Sequence, residues 1–253
     1  MKFDPIAPSE KLAPHRPLTE FYRQPSERAQ FVSDLFDHSA RDYNWISSAL
    51  SFGSDRFYRR HALRRAGLRP GMKVLDVATG TGLVARAALD LGVSPSDVTG
   101  LDPSPGMLAE NQRRHPIQLV QSCGETLPFL DRTFDFVTMG YALRHVEDLA
   151  KLFGEFRRVL RAQGRVLVLE ITRPTSRFGF ALMRLFMQRL LPCCARLRAQ
   201  HPDSARLIEY YWATIAACVP PPVILAALSA AGFNKTERRA RGRILSEYAA
   251  SKE

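Results

Sequence analysis

Apolar and polar positions follow two periods along this chain, and the order of those periods outlines a fold. Residues 25–40, "PSERAQFVSDLFDHSA", place Phe31, Leu35 and Phe36 at helical spacing. Residues 54–67, "SDRFYRRHALRRAG", predict a second helix, with Ser54 as its N-cap and Gly67 as its stop. After the turn "RPG" at 69–71, short apolar runs alternate with helical stretches. Strands are predicted at Lys73–Val77, Val98–Leu101, Gln118–Gln121, Phe134–Met139 and Arg165–Ile171. The helices between them fall at Gly82–Leu91, Pro105–Arg113 and Asp148–Leu160. Residues 173–221 break the alternation with mixed helices rich in Phe, Met, Leu and Arg. A helix at Pro222–Ala231, stopped by Gly232, and two strands near Lys235–Arg239 and Ile244–Ala249 close the chain.

Strands separated by helices give a mostly parallel α/β sheet with crossover helices on both faces. In such sheets ligands bind beyond the carboxyl ends of the strands, near the point where strand order reverses. Residues 1–25 carry several prolines and no clear period, so they read as a loosely held, flexible N-terminal arm; residues 26–253 then form one domain. No internal repeat interrupts it.

The 253 residues suit one sizeable α/β domain with insertions. No segment approaches the ~20 uninterrupted apolar residues of a spanning helix, and the N-terminus lacks the apolar core of a secretory signal. None of the four cysteines forms a C-x-x-C pair or a zinc spacing with histidine, so no metal is expected. A reducing, cytoplasmic setting is the simplest expectation. The net charge of +11 is spread over many arginines without one dominant block. It reads first as a solvated surface, then as contact with an anionic membrane, and last as nucleic acid.

The most informative stretch is Val74 to Ala85, "VLDVATGTGLVA". Its G-x-G-x-x-A order follows a strand and opens a helix, the context of a nucleotide-binding turn. In a dinucleotide enzyme that turn meets a pyrophosphate and favours negative charge. Here Asp76 ends the strand just before the glycines, and a carboxylate there opposes a pyrophosphate. It suits a cofactor with a cationic group, such as the α-ammonium of S-adenosyl-L-methionine. Asp102, at the end of the second strand, has the right chemistry for two ribose hydroxyls, which NAD and S-adenosylmethionine share.

Taken in order, "FDHSARDYNWISSALSFGSDRFYRR", "VLDVATGTGLVA", "GLDPSPGML", "ETLPFLDRTFDFVTMGYALRHVEDL", "EFRRVLRAQGRVLVLEITRP" and the late "AAGF" resemble the ubiquinone/menaquinone biosynthesis C-methyltransferases. The glycine turn and "LPF…FD" are shared by many class I methyltransferases; "LSFG", "LRH" and "LEITRP" are more particular to the quinone group. The resemblance covers about residues 30–250. It implies a Rossmann-like class I methyltransferase fold, with a seven-stranded sheet and a helical lid inserted at about 173–221. It also implies S-adenosyl-L-methionine as cofactor, held by Asp76, Ala78, Gly80, Thr81 and Gly82 in the turn and by Asp102, Pro103 and Met107 after the second strand. Cys123 and Gly124 fall where the family contacts adenine, and Gly140 beside the methionine moiety. Arg144 and His145 occupy the positions next to the quinone ring, and Tyr43 a position that closes over the cofactor.

The departures cluster. Cys123 stands where the family prefers Asn or Asp, Leu83 replaces an acid after the glycines, His145 replaces an asparagine, and "CVPPPV" at 218–223 replaces a histidine-proline segment. The cofactor side is kept and the acceptor side altered. The reaction expected is methyl transfer to a ring carbon of a prenylated quinol or related phenol. Arg144 is expected to stabilise the phenolate and His145, which titrates near neutrality, to take its proton. Glu170 reads as an arginine partner. "RFGFALMRLFMQRLLPCCARLR" at 177–198 is too charged to span a bilayer and fits an amphipathic lid over a greasy acceptor or on anionic lipid. The partners expected are therefore a hydrophobic phenol or quinol, peripheral contact with the inner membrane face, a second copy in a homodimer, and no nucleic acid. O- or N-methylation of another lipid or natural product, and a non-catalytic scaffold in quinone biosynthesis, stand as alternatives.

Overall fold

A computed structural model of the chain describes residues 11–51, 53–193, 203–242 and 244–253. Its centre is a seven-stranded sheet in the order β3-β2-β1-β4-β5-β7-β6. The strands are β1 (Val74–Val77), β2 (Val98–Asp102), β3 (Gln118–Gln121), β4 (Phe134–Gly140), β5 (Leu160–Ile171), β6 (Asn234–Arg241) and β7 (Leu245–Ser251). β1 to β5 pair in parallel, and β7 runs antiparallel to both β5 and β6. β1 and β2 are buried along their whole length, as parallel strands covered on both faces must be. Strand order reverses between β1 and β4, so their carboxyl ends open a crevice at the middle of the sheet's edge.

The crossovers follow from local chemistry. α4 (Leu83–Leu89) leaves β1 through the glycine turn, and Gly82 adopts φ 85°, a conformation that costs glycine little. α5 (Pro105–Gln112) starts on a proline and is capped by Ser104, whose hydroxyl accepts from Met107 N–H. α6 (Leu149–Val159) is capped by Asp148 and buries Leu152, Phe153 and Phe156 against one face of the sheet. α9 (Pro221–Ala230) joins that layer through Ile224 and Leu228. On the opposite face, α3 (Asp55–Arg65) and α4 supply Ala62, Leu63, Ala85 and Ala88.

A second core sits over the carboxyl edge. It joins α1 (Arg28–Ser39), α2 (Tyr43–Leu50), α7 (Arg177–Leu185) with the wide turn Phe186–Leu190 that continues it, and α8 (Asp203–Ala217). Leu35, Ile46, Met187, Leu207, Tyr210 and Ile215 meet there. The lid is thus built from both the 173–221 insertion and the segment ahead of the sheet.

Four readings change. The N-terminal arm is not loose from residue 11 onward. Leu12 and Pro14 carbonyls accept from Leu149 and Val219 N–H, and Leu18 and Tyr22 are buried in the lid core. The prolines hid this short apolar cluster; residues 1–10 lie outside the described residues. α2 was not predicted, because eight residues hold too few turns to show a period. Ser54 occupies the N-cap of α3, but its hydroxyl donates back to the Ser51 carbonyl and caps nothing. β5 begins at Leu160 rather than Arg165, and its pairing with β4 slips between Phe134 and Phe136. Of the basic lid residues, Arg196 and Arg198 lie outside the described residues.

Candidate active site

The turn after β1 is held by Asp76. Its Oδ2 accepts from Thr79 Oγ1 at 2.7 Å and Ala85 N–H at 3.2 Å, which ties the strand end to the first turn of α4. Its Oδ1 is buried and makes no hydrogen bond. Burial pushes the carboxyl up to about 7. An unpartnered buried carboxylate oxygen next to a ligand turn suits a cationic group. Thr81 and Gly82 shape the turn from behind: the Thr81 hydroxyl donates to Asn44 Oδ1 of α2, and neither residue lines the cleft. Thr81 and Gly82, expected to touch the cofactor, thus lie behind the cleft wall, with the Thr81 hydroxyl proton committed to the lid.

Ala78 and Tyr141 are the first residues past β1 and β4, and both have left-handed φ, 52° and 61°. Such backbone outliers in non-glycine residues concentrate at functional sites. Both line a cleft of about 510 Å³ with Gly80, Asp102, Pro103, Met107 and Gly140. Asp102 receives Gly80 N–H at 2.8 Å on one oxygen and Ser104 N–H at 2.9 Å on the other. Each oxygen keeps a lone pair for a ligand hydroxyl. Burial raises this carboxyl to about 6. Gly140 has no room for a side chain: a Cβ would lie 2.6 Å from Val84 Cγ2 and 3.1 Å from Arg59 Nη1.

The cleft continues around Ala78, Pro103 and Ala142 into a wider opening of about 1170 Å³. Cys123 and Gly124 line this end, at the carboxyl side of β3. A Cβ on Gly124 would lie 2.7 Å from Leu152 Cδ1.

 Eight of the eleven expected cofactor residues, Ala78, Gly80, Asp102, Pro103, Met107, Cys123, Gly124 and Gly140, line the two openings, while Asp76, Thr81 and Gly82 stand behind them.

On the other side of Tyr43 and Tyr141 lies a chamber of about 850 Å³. Both tyrosines line the cleft and the chamber alike, which puts Tyr43 at the boundary between them. Arg144 lines the chamber and is 1% exposed. Its Nη1 donates to the Tyr141 carbonyl and to Glu170 Oε1, and its Nε donates to Thr214 Oγ1. The guanidinium lies 4.8 Å from the Tyr211 ring centroid. Nη2 takes part in none of these hydrogen bonds. Glu170 is the arginine partner that its position suggested.

His145 departs from its expected role. Its ring stacks on Tyr210 and Tyr211 and meets Phe36 edge-on, and neither ring nitrogen has a hydrogen-bond partner. Burial, followed by the positive charges of Arg144, Arg28 and His15, holds its pKa well below the usual histidine range. It lines the cleft, not the chamber with Arg144. A neutral, weakly basic ring on the cofactor side is a poor proton acceptor for a phenol in the chamber.

The carboxylate that does line the chamber is Asp55. Its Oδ1 accepts from Arg59 Nε at 2.7 Å, and Arg59 in turn lies 4.7 Å from the Tyr141 ring centroid. Sequence reasoning missed Asp55, Arg59 and Tyr58. The signal available was the spacing of Asp55, Tyr58 and Arg59 on one side of α3. It also missed two lid contacts: Asp37 Oδ1 accepts from Ser104 Oγ and from Gly106 N–H, and Asn44 holds Thr81.

Comparison with known proteins finds the same fold and a family. Solved structures of similar fold include a SAM-dependent methyltransferase from Aquifex aeolicus (TM-score 0.58, 16% identity, covering 81% of this chain and 97% of that one). Another is phosphoethanolamine N-methyltransferase 2 of Haemonchus contortus in complex with S-adenosyl-L-methionine (TM-score 0.58, 18% identity, 89% of this chain and 58% of that one). In sequence, the chain is 35% identical over 222 residues to a demethylmenaquinone methyltransferase of Mycobacterium sp. strain JLS, covering 87% of this chain and 94% of that one. It is 37% identical over 173 residues to the protein of the same name from Corynebacterium efficiens, covering 68% and 74%. Residues 24–240 match the ubiE/COQ5 methyltransferase family, and the chain belongs to that family of S-adenosylmethionine-dependent methyltransferases.

Proposed function

We propose that this enzyme methylates a ring carbon of a demethylmenaquinol-type acceptor seated in the chamber. The observation that carries the reading is the shared wall: Tyr43 and Tyr141 separate the cleft from a chamber holding a buried arginine and a carboxylate. Relatives named demethylmenaquinone methyltransferase support the same acceptor class.

S-adenosyl-L-methionine supplies an electrophilic methyl group on a cationic sulfur. Asp102 would hold its ribose hydroxyls, the turn organised by Asp76 its methionine end, and Cys123 and Gly124 its adenine end. A thiol at Cys123 is a weaker acceptor than a carboxylate or amide for the adenine amine. On the acceptor side, a ring carbon becomes nucleophilic when the adjacent hydroxyl is ionised. Asp55 is placed to accept that proton and Arg144 to stabilise the oxyanion. Burial raises the pKa of Tyr43, Tyr141 and Tyr211, so these phenols stay protonated and can donate hydrogen bonds but not act as bases.

We place the protein peripherally at an anionic membrane surface. Phe178, Leu182, Leu185 and Leu190 are more than half exposed on and just after α7, among Arg177, Arg184 and Arg189. Among the described residues no single helix is long and apolar enough to cross a membrane.

The test is transfer of an isotopically labelled methyl group to a chemically reduced demethylnaphthoquinol. A product carrying the label on the ring carbon supports the reading. An O-methyl product, or no transfer by a protein that binds S-adenosylmethionine, overturns it.

A further inference from the structure

The chamber does not end at its apolar wall. Leu50 at the end of α2, Ile171 at the end of β5, Ile244, and Leu245 at the start of β7 line the chamber. The same four side chains line a groove of about 1500 Å³ that runs beneath α7. Phe178, Leu182, Met183, Leu185, Phe186 and Leu190 form its other principal wall. Among the described residues no ionisable side chain lines this groove, whereas the chamber beside it holds Asp55 and Arg144. The change from polar to apolar lining takes place across four shared residues.

The groove also opens to solvent through side chains that a water-facing helix rarely displays together. Phe178 is 80% exposed, Leu182 57%, Leu185 53% and Leu190 56%. A contiguous apolar surface of this kind marks a binding site more often than an ordinary face. Its continuity with the chamber says what the ligand must be: a molecule with a polar ring at one end and a long hydrocarbon at the other.

We propose that the groove holds the isoprenoid tail of the acceptor, with the ring against Arg144 and the tail leaving past Ile171 and Leu245 beneath α7. The assignment rests on the quinol reading for its ring end. The tail end stands on the groove itself. The groove then selects acceptors by their hydrocarbon, because each buried methylene contributes to binding, while the chamber sets the chemistry.

The experiment uses the full chain and two probes. Geranylgeraniol, an isoprenoid alcohol without a ring, is titrated into wild type and into Leu182→Asp/Leu185→Asp by calorimetry. Both substituted side chains face solvent at the groove's mouth and lie outside the chamber, and a thermal melt of the variant checks its fold. The rates on a geranylgeranyl-bearing and a tail-less demethylnaphthoquinol are then compared. The expected result is saturable geranylgeraniol binding by wild type, weakened at least about tenfold in the variant. The variant's kcat/KM should fall by a similar factor on the tailed acceptor and stay within about twofold on the tail-less one. Equal binding of geranylgeraniol by both proteins, or an equal loss on both acceptors, overturns the groove. If neither acceptor is methylated but the variant still loses geranylgeraniol, the quinol reading fails and the groove stands.

Discussion

Arg144 and Glu170 form an ion pair with almost no solvent contact, their side chains being 1% and 2% exposed. Removing one partner of such a pair leaves an uncompensated buried charge. Glu170→Gln should therefore cost about 3–5 kcal/mol of stability, read from urea unfolding. Replacing both, in Arg144→Met/Glu170→Leu, should recover much of that loss while leaving the enzyme inactive. A double variant as unstable as the single one would show that the pair's geometry, not its charge, supports the fold.

The two buried acids Asp102, in the cleft wall, and Asp76, behind it, predict opposite effects on binding and on stability. Asp76 lies near 7 and Asp102 near 6, both raised by burial. If the ligand needs both ionised, affinity for S-adenosylmethionine should decline below about pH 7 and more steeply below about pH 6. Each group contributes up to about tenfold per pH unit. Asp102→Asn should bind more weakly and lose the second, steeper limb. Calorimetry across pH 5–8 reads both.

For stability the sign reverses. An acid whose folded pKa is raised binds more protons folded than unfolded, so its contribution is fully present below its unfolded pKa and lost as pH rises through the folded one. Asp76→Asn in the ligand-free protein should melt about 2–4 °C higher than wild type at pH 8. The advantage should shrink as pH falls below 7, where Asp76 becomes protonated. A gap between the two melting curves that does not change with pH would place the effect elsewhere.

Asp55 and His145 are separable by rate. As general base, Asp55 contributes an expected factor of about 10²–10⁴, so Asp55→Asn should lower kcat by at least the smaller of these. His145→Asn should change kcat by less than about threefold, because the neutral ring is not placed to take the proton. A large fall in kcat together with loss of the acid limb of the pH profile in His145→Asn would return the proton to the histidine.

Asp37 joins the lid to the ligand turn through Ser104 and Gly106. Asp37→Ala leaves both donors without this acceptor and should lower stability by about 1–3 kcal/mol. It should also weaken S-adenosylmethionine binding, with KM rising more than kcat falls. Equal kinetic constants in the variant would show that the contact serves the fold alone.

Much of this arrangement was legible in the chain. The glycine turn, Asp102 and Gly140 are local features, each set by a strand end and a short turn, and local features leave local patterns. Arg144 is named through the resemblance, and Glu170, at the end of a strong strand, reads as an arginine partner; the ion pair joins the two. What was not legible depends on distant packing. Nothing near His145 announces that Tyr210, Tyr211 and Phe36 will enclose its ring, because two of the three come from α8 and one from α1. Asp55 reads as an ordinary polar residue at a helix start until the fold brings it into the chamber that Arg144 also lines. The early arm misled for the same reason: its prolines are visible, while Phe21 finds its partner ring in Tyr210 of α8, more than 180 residues away.

The two-part origin of the lid has a consequence for the order of assembly. α1 and α2 leave the ribosome before any strand exists, and α8 follows only after β5. The sheet can gather through neighbouring segments, but the lid core needs contacts that close a loop of more than 150 residues, and such contacts form late. During synthesis the N-terminal helices therefore wait with Phe31, Leu35 and Ile46 uncovered. A chaperone that binds exposed apolar helices has its longest opportunity there, and the chamber becomes competent only when the two halves meet.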